Sequence, residues 1–225
     1  MYEQTKNWHE FNFHGAQLSA LPSGALWWSS QRLLCISDLH LGKAERVARR
    51  SGQSLPPYDT RETLARLSED LETTKARTVV CLGDSFDDLT AANALLEEEK
   101  LWIARLQAGR EWIWIEGNHD PGPVEFGGTH LAELKRDALT FRHIATSNAK
   151  GEVSGHYHPK ARLAARGRTI TRPAFLVDDM RLILPAYGIF TGGLASDHER
   201  LDSLMGAGAL AILTGPKPTC IPMPR

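Results

Sequence analysis

Leu33-Leu34-Cys35-Ile36-Ser37-Asp38-Leu39-His40 is the stretch whose reading decides the fold, because a short apolar run there ends in a polar cluster. The same design recurs twice. Thr78-Val79-Val80-Cys81-Leu82 leads into Gly83-Asp84-Ser85-Phe86-Asp87-Asp88, and Trp112-Ile113-Trp114-Ile115 leads into Gly117-Asn118-His119-Asp120. Short apolar runs of this kind read as buried strands. Helical patterns separate them. Residues 60–73 set Leu64, Leu67 and Leu71 at helical spacing with Thr60 as N-cap; residues 91–106 turn Leu95, Leu96, Ile103 and Leu106 inward and leave Glu97-Glu98-Glu99 as a solvated face. The β-α-β-α-β rhythm predicts an α/β fold around a largely buried sheet. Strand carboxyl ends face the ligand crevice in such sheets, so the three polar clusters are expected to meet in space.

After about residue 138 the pattern changes to strands joined by short turns, at 139–144, 151–155, 170–177, 181–184 and 209–213. These predict a second, mostly antiparallel sheet packed on the first. Pro216, Pro218, Pro222 and Pro224 predict a loose tail over 216–225. With 225 residues, 42% hydrophobic and 24% charged, the chain fits one domain, 1–225. Cys35, Cys81 and Cys220 form no Cys-x-x-Cys pair, and the first two sit inside apolar runs, which points to a reducing cytoplasm. Residues 1–15 hold no apolar targeting run, and no later stretch reaches the length of a membrane span. The 26 Lys+Arg nearly balance 27 Asp+Glu, so bulk charge neither demands nor excludes a nucleic-acid partner.

The polar clusters carry the chemistry. In extended chain, Asp38 and His40 point to the same side and both reach one ion. His156 and His158, in Gly155-His156-Tyr157-His158-Pro159, repeat that spacing.

Asp-x-His, Gly-Asp-x-x-Asp, Gly-Asn-His-Asp, a lone His and Gly-His-x-His, in this order from Leu33 to Pro159, resemble the signature of the calcineurin-like metallophosphoesterase superfamily. The lone histidine is assigned to His143; its competitor His130 follows the loop-like Gly127-Gly128-Thr129 and reads as a surface residue. The resemblance implies that Asp38, His40 and His158 hold one metal and Asn118, His143 and His156 another, with Asp84 bridging. It also makes His119 a general acid or transition-state stabiliser, with Asp120 bonded to its imidazole and raising its pKa. Two divalent metal ions facing only Asp38 and Asp84 leave about +2 of charge, which suits an anionic phosphodiester. Mixed carboxylate, amide and imidazole donors suit Mn²⁺, Fe or Zn²⁺ better than Ca²⁺, and Mn²⁺ is the leading expectation.

Further stretches narrow the resemblance: Asp38-Leu39-His40-Leu41-Gly42-Lys43, Gly83-Asp84-Ser85-Phe86, Phe141-Arg142-His143, Gly155-His156-Tyr157-His158-Pro159, and Pro185-Ala186-Tyr187-Gly188 with Thr191-Gly192-Gly193. Over nearly the whole chain they resemble the bacterial ligase-associated DNA damage response endonucleases, the PdeM group. That implies a four-layer αββα sandwich of two mixed β-sheets flanked by helices, and a Mn²⁺-dependent phosphodiesterase acting on single-stranded DNA. Functional association with a DNA ligase and a helicase is implied too. Two departures stand out. Phe86-Asp87-Asp88 replaces the common Phe-His-Asp, and Ile144-Ala145 replaces Glu-Pro. A carboxylate at 87 beside the scissile phosphate would repel it, so Asp87→His is expected to strengthen DNA cleavage.

Substrate contacts are expected from Lys43, Arg46, Asp87 and Arg142. The basic clusters Lys43, Arg46, Arg49, Arg50 and Arg162, Arg166, Arg168, Arg172 are candidates to track a DNA backbone. Tyr187 and Phe190 read as core rather than as base-stacking groups. The competing expectation is a nucleotide phosphomonoesterase or cyclic-nucleotide phosphodiesterase using the same metals. A non-catalytic scaffold is disfavoured, because it has no need of seven competent ligands and His119.

Overall fold

The computed structural model describes residues 7–52, 56, 58–122, 125–147, 150–165 and 167–225, with the side chain of Ala165 excepted. Arg166 lies outside the described residues, as do residues 1–6 of the expected untargeted N-terminus.

One sheet holds β1 (His9–Phe13), β2 (Ala16–Ala20), β3 (Leu26–Trp28), β4 (Leu33–Ile36), β5 (Thr78–Leu82), β6 (Glu111–Ile115) and β7 (Thr129–Leu131) in sequence order. It is antiparallel from β1 to β4 and parallel from β4 to β7. The second contains β8 (Glu133–Arg136), β9 (Leu139–Arg142), β10 (Glu152–Ser154), β11 (Lys160–Ala165), β12 (Arg168–Val177), β13 (Arg181–Ile183), β14 (Leu210–Leu213) and β15 (Thr219–Pro222). Its order is β15-β14-β12-β13-β10-β9-β8, with β11 hairpinned onto β12. The expected antiparallel character holds except at its centre, where β10 runs parallel to both β13 and β9.

The layering follows from strand periodicity. Successive side chains leave opposite faces. In β4, Leu33 and Cys35 enter the core between the sheets, while Leu34 and Ile36 face the helices; β5 and β6 split likewise, Val80, Leu82, Ile113 and Ile115 going inward and Val79, Cys81, Trp112 and Trp114 outward. Across the inter-sheet core they meet Phe141, Val153, Phe175, Leu182 and Ile212 of the second sheet. The outer face of the first sheet is covered by α2 (Asp59–Thr74) and α4 (Glu97–Gln107), through Leu64, Leu67, Leu71, Ile103 and Leu106. Among the described residues, the outer face of the second carries only the short α5 (Glu199–Leu204), through Leu201. The αββα sandwich is thus present, with one thin outer layer. No helix of the described residues is long and apolar enough to cross a membrane.

Four local expectations need correcting. Thr60 is not the N-cap of α2; the helix begins at Asp59, and Thr60 Oγ1 instead accepts from Gly42 N, tying α2 to the start of α1 (Lys43–Ser51). The helix expected over 91–106 is two: α3 (Leu89–Ala94), capped by Asp88 accepting from Ala91 N, and α4. Between them the chain is extended, so Leu95 is buried but Leu96 is exposed. Glu99 is not on the solvated face. It is buried, and its carboxylate accepts from Leu96 N at 3.0 Å to cap α4.

The tail is the fourth correction. Residues 219–222 form β15, paired with β14 in a register that sets Pro222 opposite Leu210. An edge strand tolerates proline, which lacks the donor that a second neighbour would need. Met223 is buried against Leu201 and Met205, and its N–H donates to Ala209 O. Met223→Ala is therefore expected to cost about 2 kcal/mol or more. A fall in melting temperature of about 4–8 °C follows for a chain of this size. A melting temperature unchanged within a degree would return residues 216–225 to a loose tail.

Candidate active site

The polar clusters do meet, and the strand ends alone do not explain how. The loops after β4 and β5 continue side by side: Asp38 N donates to Gly83 O, His40 N to Asp84 O, Leu41 N to Ser85 O, and Asp87 N to Leu41 O. The extended geometry expected for Asp38-Leu39-His40 is corrected here. Asp38 and His40 have φ of 53° and 46°, His156 and His158 have 72° and 48°, and Asp84 has 46°. Each left-handed non-glycine residue costs of order 1–3 kcal/mol, least for Asp, Asn and His. The spacing of two still brings each pair together, through alternating turns rather than a pleat.

Two glycines permit the close approaches. A Cβ on Gly155 would strike Ser37 Oγ and come within 2.6 Å of Asp38 Oδ2, and one on Gly83 would lie 2.6 Å from His143 Nδ1.

Asp38, His40 and His158 form one set of converging donor atoms, and Asp84, His143 and His156 another. In the first, His40 Nδ1 lies 2.8 Å from Asp87 Oδ1, without either atom forming a hydrogen bond, and His40 Nε2 lies 3.4 Å from His158 Nε2. His158 Nε2 is 3.1 Å from Asp38 Oδ1, an oxygen with no hydrogen bond of its own. The other carboxylate oxygen, Oδ2, accepts from Ser37 Oγ and His156 N, which fixes the rotamer. In the second set, His143 Nδ1 donates to Leu82 O at 2.7 Å, so its Nε2 lone pair faces Asn118 Oδ1 at 2.9 Å, His156 Nδ1 at 3.3 Å and Asp84 Oδ2 at 3.4 Å.

Acceptors held this close repel one another unless a cation lies between them. The donor sets therefore fit a pair of metal ions. Without an ion a proton takes that place at His143: burial disfavours its cation, yet Asp84 and Asp38 raise its pKa to about 9. Burial raises the Asp84 carboxyl, but His143 and His119 outweigh it and hold it at about 2.

His119 points its Nε2 at this centre, 4.0 Å from Asp84 Oδ2, and its ring stands edge-on to His40. Its Nδ1 donates to Asp87 O at 2.8 Å. The expected Asp120–imidazole bond is therefore a correction. Asp120 is buried and accepts from the backbone N–H of Gly117, Asp84, Ser85 and Phe86, stapling the β5 and β6 loops together. Its role is to position Asp84 and His119, not to tune the imidazole. Burial, with the charge of Asp84 beside it, lifts its carboxyl to about 6 despite those amides.

Asp87 is the larger correction. It does not face a phosphate: it is fully buried behind His40, with Arg46 Nη1 at 2.9 Å and Lys43 Nζ at 3.5 Å. Burial opposes its charge, but His40, Lys43 and Arg46 hold the carboxyl well below its usual range. Lys43 and Arg46 are thereby occupied, and Arg49 and Arg50 turn to Asp88. Arg142 pairs with Glu133 and Glu152 but still borders a cavity of about 440 Å³ that reaches Asn118 and His143. Arg162, Arg168 and Arg172 are exposed on the β11–β12 hairpin. His130 lies on β7 against Trp114, outside both donor sets, whereas His143 lies within the second. Tyr187 is core, its hydroxyl donating to Asp70, whereas Phe190 is exposed, contrary to expectation. Sequence reasoning missed the supporting groups Ser37 and Leu82 O, which no motif marks.

Comparison with known proteins follows this geometry. Residues 31–190 match the model of a family described as Calcineurin-like phosphoesterase. Among solved structures, the chain is similar to the crystal structure of Pseudomonas putida nuclease MPE, with 26% identity and a TM-score of 0.75 over 94% of this chain and 100% of that one. No curated protein sequence matches.

Removing an orienting carboxylate behind a ligating histidine typically lowers metal affinity or activity about 10- to 100-fold. Asp87→Asn is expected to do this to Mn²⁺ affinity measured by titration calorimetry, and Asp87→His to weaken DNA cleavage rather than strengthen it. Wild-type affinity in Asp87→Asn would remove Asp87 from the support of His40.

Proposed function

The chain belongs to the calcineurin-like phosphoesterase family, and from that premise we propose that it is a Mn²⁺-dependent phosphodiesterase that cuts single-stranded DNA in repair. The observation that carries the reading is the pair of converging donor sets just beyond the ends of β4, β5, β9 and β10, on a chain similar over its length to a nuclease. In this proposal Asp38, His40 and His158 would hold one ion and Asn118, His143 and His156 the other, with Asp84 placed to serve both. No thiolate enters the set, since Cys35 and Cys81 are buried in β4 and β5, so soft metals gain no advantage; Mn²⁺ is the leading ion of the proposal, and Fe or Zn²⁺ fits the same donors. When bound, two such ions supply Lewis-acid polarisation of the phosphoryl oxygens and lower the pKa of water.

The protein's own groups do the rest. Ser37 and His156 N fix Asp38, Asp87 fixes His40, Leu82 O fixes His143, and His119 N donates to Asp84 Oδ1 at 2.9 Å. Reaction geometry is thus set before substrate arrives. His119, in its cationic form, keeps the Nδ1 proton on Asp87 O and offers the Nε2 proton to the departing 3′ or 5′ oxygen of the sugar. The same proposal includes one metallophosphoesterase domain over 1–225, a cytoplasmic location and functional association with a DNA ligase and a helicase.

Incubating the protein and Mn²⁺ with circular single-stranded DNA, duplex DNA and a panel of nucleotides tests the substrate class; nicking of the circle is expected, and turnover of nucleotides alone would favour a small-molecule phosphoesterase. Asp84→Ala is expected to abolish hydrolysis of every phosphoester and to lower metal content. His119→Ala should split the substrates. A general acid contributes on the order of 10²- to 10⁴-fold for a poor leaving group and little for p-nitrophenolate, so DNA cleavage should fall far more than hydrolysis of bis-p-nitrophenyl phosphate. Equal losses with both metals retained would make His119 a phosphate binder, not a proton donor.

A further inference from the structure

Of the two basic clusters that the sequence brings near the crevice, the structure neutralises one. Lys43, Arg46, Arg49 and Arg50 on α1 are all paired with Asp87 or Asp88. The other side differs. A cavity of about 520 Å³ is lined by Arg66, Lys160, Arg172, Phe190, Thr191 and Gly215, among other residues, and no carboxylate is among its lining groups. Among the described residues, none of its three cations forms an ion pair. Arg66 donates to Tyr187 O at 2.8 Å and Lys160 Nζ to Thr191 O at 3.3 Å. Arg66 also lies over the Tyr187 ring, 5.3 Å from its centroid, but neither cation has a carboxylate at ion-pair distance. Asp70 feels the charge of Arg66, but burial raises its carboxyl and it accepts the Tyr187 hydroxyl.

Position makes this concentration of charge relevant to the metal centre. Lys160 lies two residues beyond His158, and Gly188 N, in the opposite wall, donates to Asp38 O at 3.1 Å. The loop that closes the pocket also touches the other ligand strand: Leu194 N donates to Tyr157 O, and a Cβ on Gly193 would be 3.0 Å from His158 Cβ. The pocket therefore abuts the Asp38–His158 side of the centre. At its rim Phe190 is 42% exposed, in the left-handed region at φ 57°, with its ring 5.9 Å from that of the exposed Tyr58. Neither ring is needed to fill a core.

Unpaired cations that follow a backbone, beside aromatic faces open to solvent, are what a single nucleic-acid strand requires: phosphates take the charge and bases stack on the rings. We propose that this pocket holds the strand on one side of the scissile bond, with Arg66, Lys160 and Arg172 on its phosphates and Phe190 and Tyr58 under its bases. The inference rests on the nuclease reading and deepens it by assigning the substrate path. A duplex would present its bases stacked inside, so the aromatic rim gives the single strand the advantage.

The test uses the full chain with Mn²⁺, a labelled oligothymidylate and, in parallel, bis-p-nitrophenyl phosphate, which is too small to span both pockets. Arg172→Glu, Arg172→Gln, Lys160→Gln and Phe190→Ala are compared with the wild type. Each lost phosphate contact on a single strand should reduce the slope of log affinity against log salt by about 0.7, so Arg172→Gln and Lys160→Gln should each flatten it. Phe190→Ala should raise KM for the oligonucleotide about tenfold without changing the salt slope. Each variant should lose more on DNA than on the small diester. If the wild type cuts DNA and the variants keep its KM and salt slope, the pocket assignment is overturned while the nuclease reading stands. Equal losses on both substrates also overturn it, since the residues would then act by supporting the metal centre. A wild type that hydrolyses the small diester but cuts no single-stranded DNA overturns both.

Discussion

Acceptor atoms crowd the centre of this molecule: two imidazole nitrogens 3.4 Å apart in one set, and an imidazole nitrogen 2.9 Å from an amide oxygen in the other. Lone pairs so placed repel, and the repulsion strengthens as water is excluded. Nothing in the local chain favours the arrangement, and four of the seven candidate ligands have a group behind them that restrains escape. His40 is backed by Asp87, His143 by Leu82 O, Asp38 by Ser37 and His156 N, and Asp84 by His119 N. The supports themselves are anchored. Asp87 sits among Lys43 and Arg46, and Asp120 ties four backbone amides of the β5 and β6 loops.

Backbone strain belongs to the same account. Asp38, His40, Asp84, His156 and His158 all lie in the left-handed region. The residue types that ligate hard and borderline cations are also among those that tolerate this conformation best. That overlap lets a short loop present two donors in three residues. The strain is confined by what lies beneath: β4, β5 and β6 are buried on both faces and register in parallel, so their ends cannot shift singly.

The fold was legible where one physical signal dominated. Continuous apolar runs at 33–36, 78–82 and 112–115 became central strands, because burial on both faces demands them. The candidate ligand residues were legible through the resemblance, and the chain brings Asp38, His40 and His158 together, and Asp84, His143 and His156. What escaped depends on distance. Asp87 was read as a neighbour of the phosphate, but its partner His40 lies far off in sequence and only the paired loops bring them together. Asp120 was given to the adjacent His119, whereas its oxygens serve amides more than thirty positions away. The proline tail was misread because proline content speaks of local donors and not of a free edge on β14. The strands β1 to β3 were not foreseen, since their pairing rather than any strong run defines them.

Anomalous diffraction from crystals soaked in Mn²⁺ tests the central claim most directly, because it locates ions without reference to activity. Two peaks are expected, one among Asp38, His40 and His158 and one among Asn118, His143 and His156, with Asp84 reaching both. His40, Asp87 and His119 form a third grouping whose donor atoms also approach one another. A peak there, or a single peak in place of two, would contradict the account, because Asp87 would then be a ligand and not the support that aims His40.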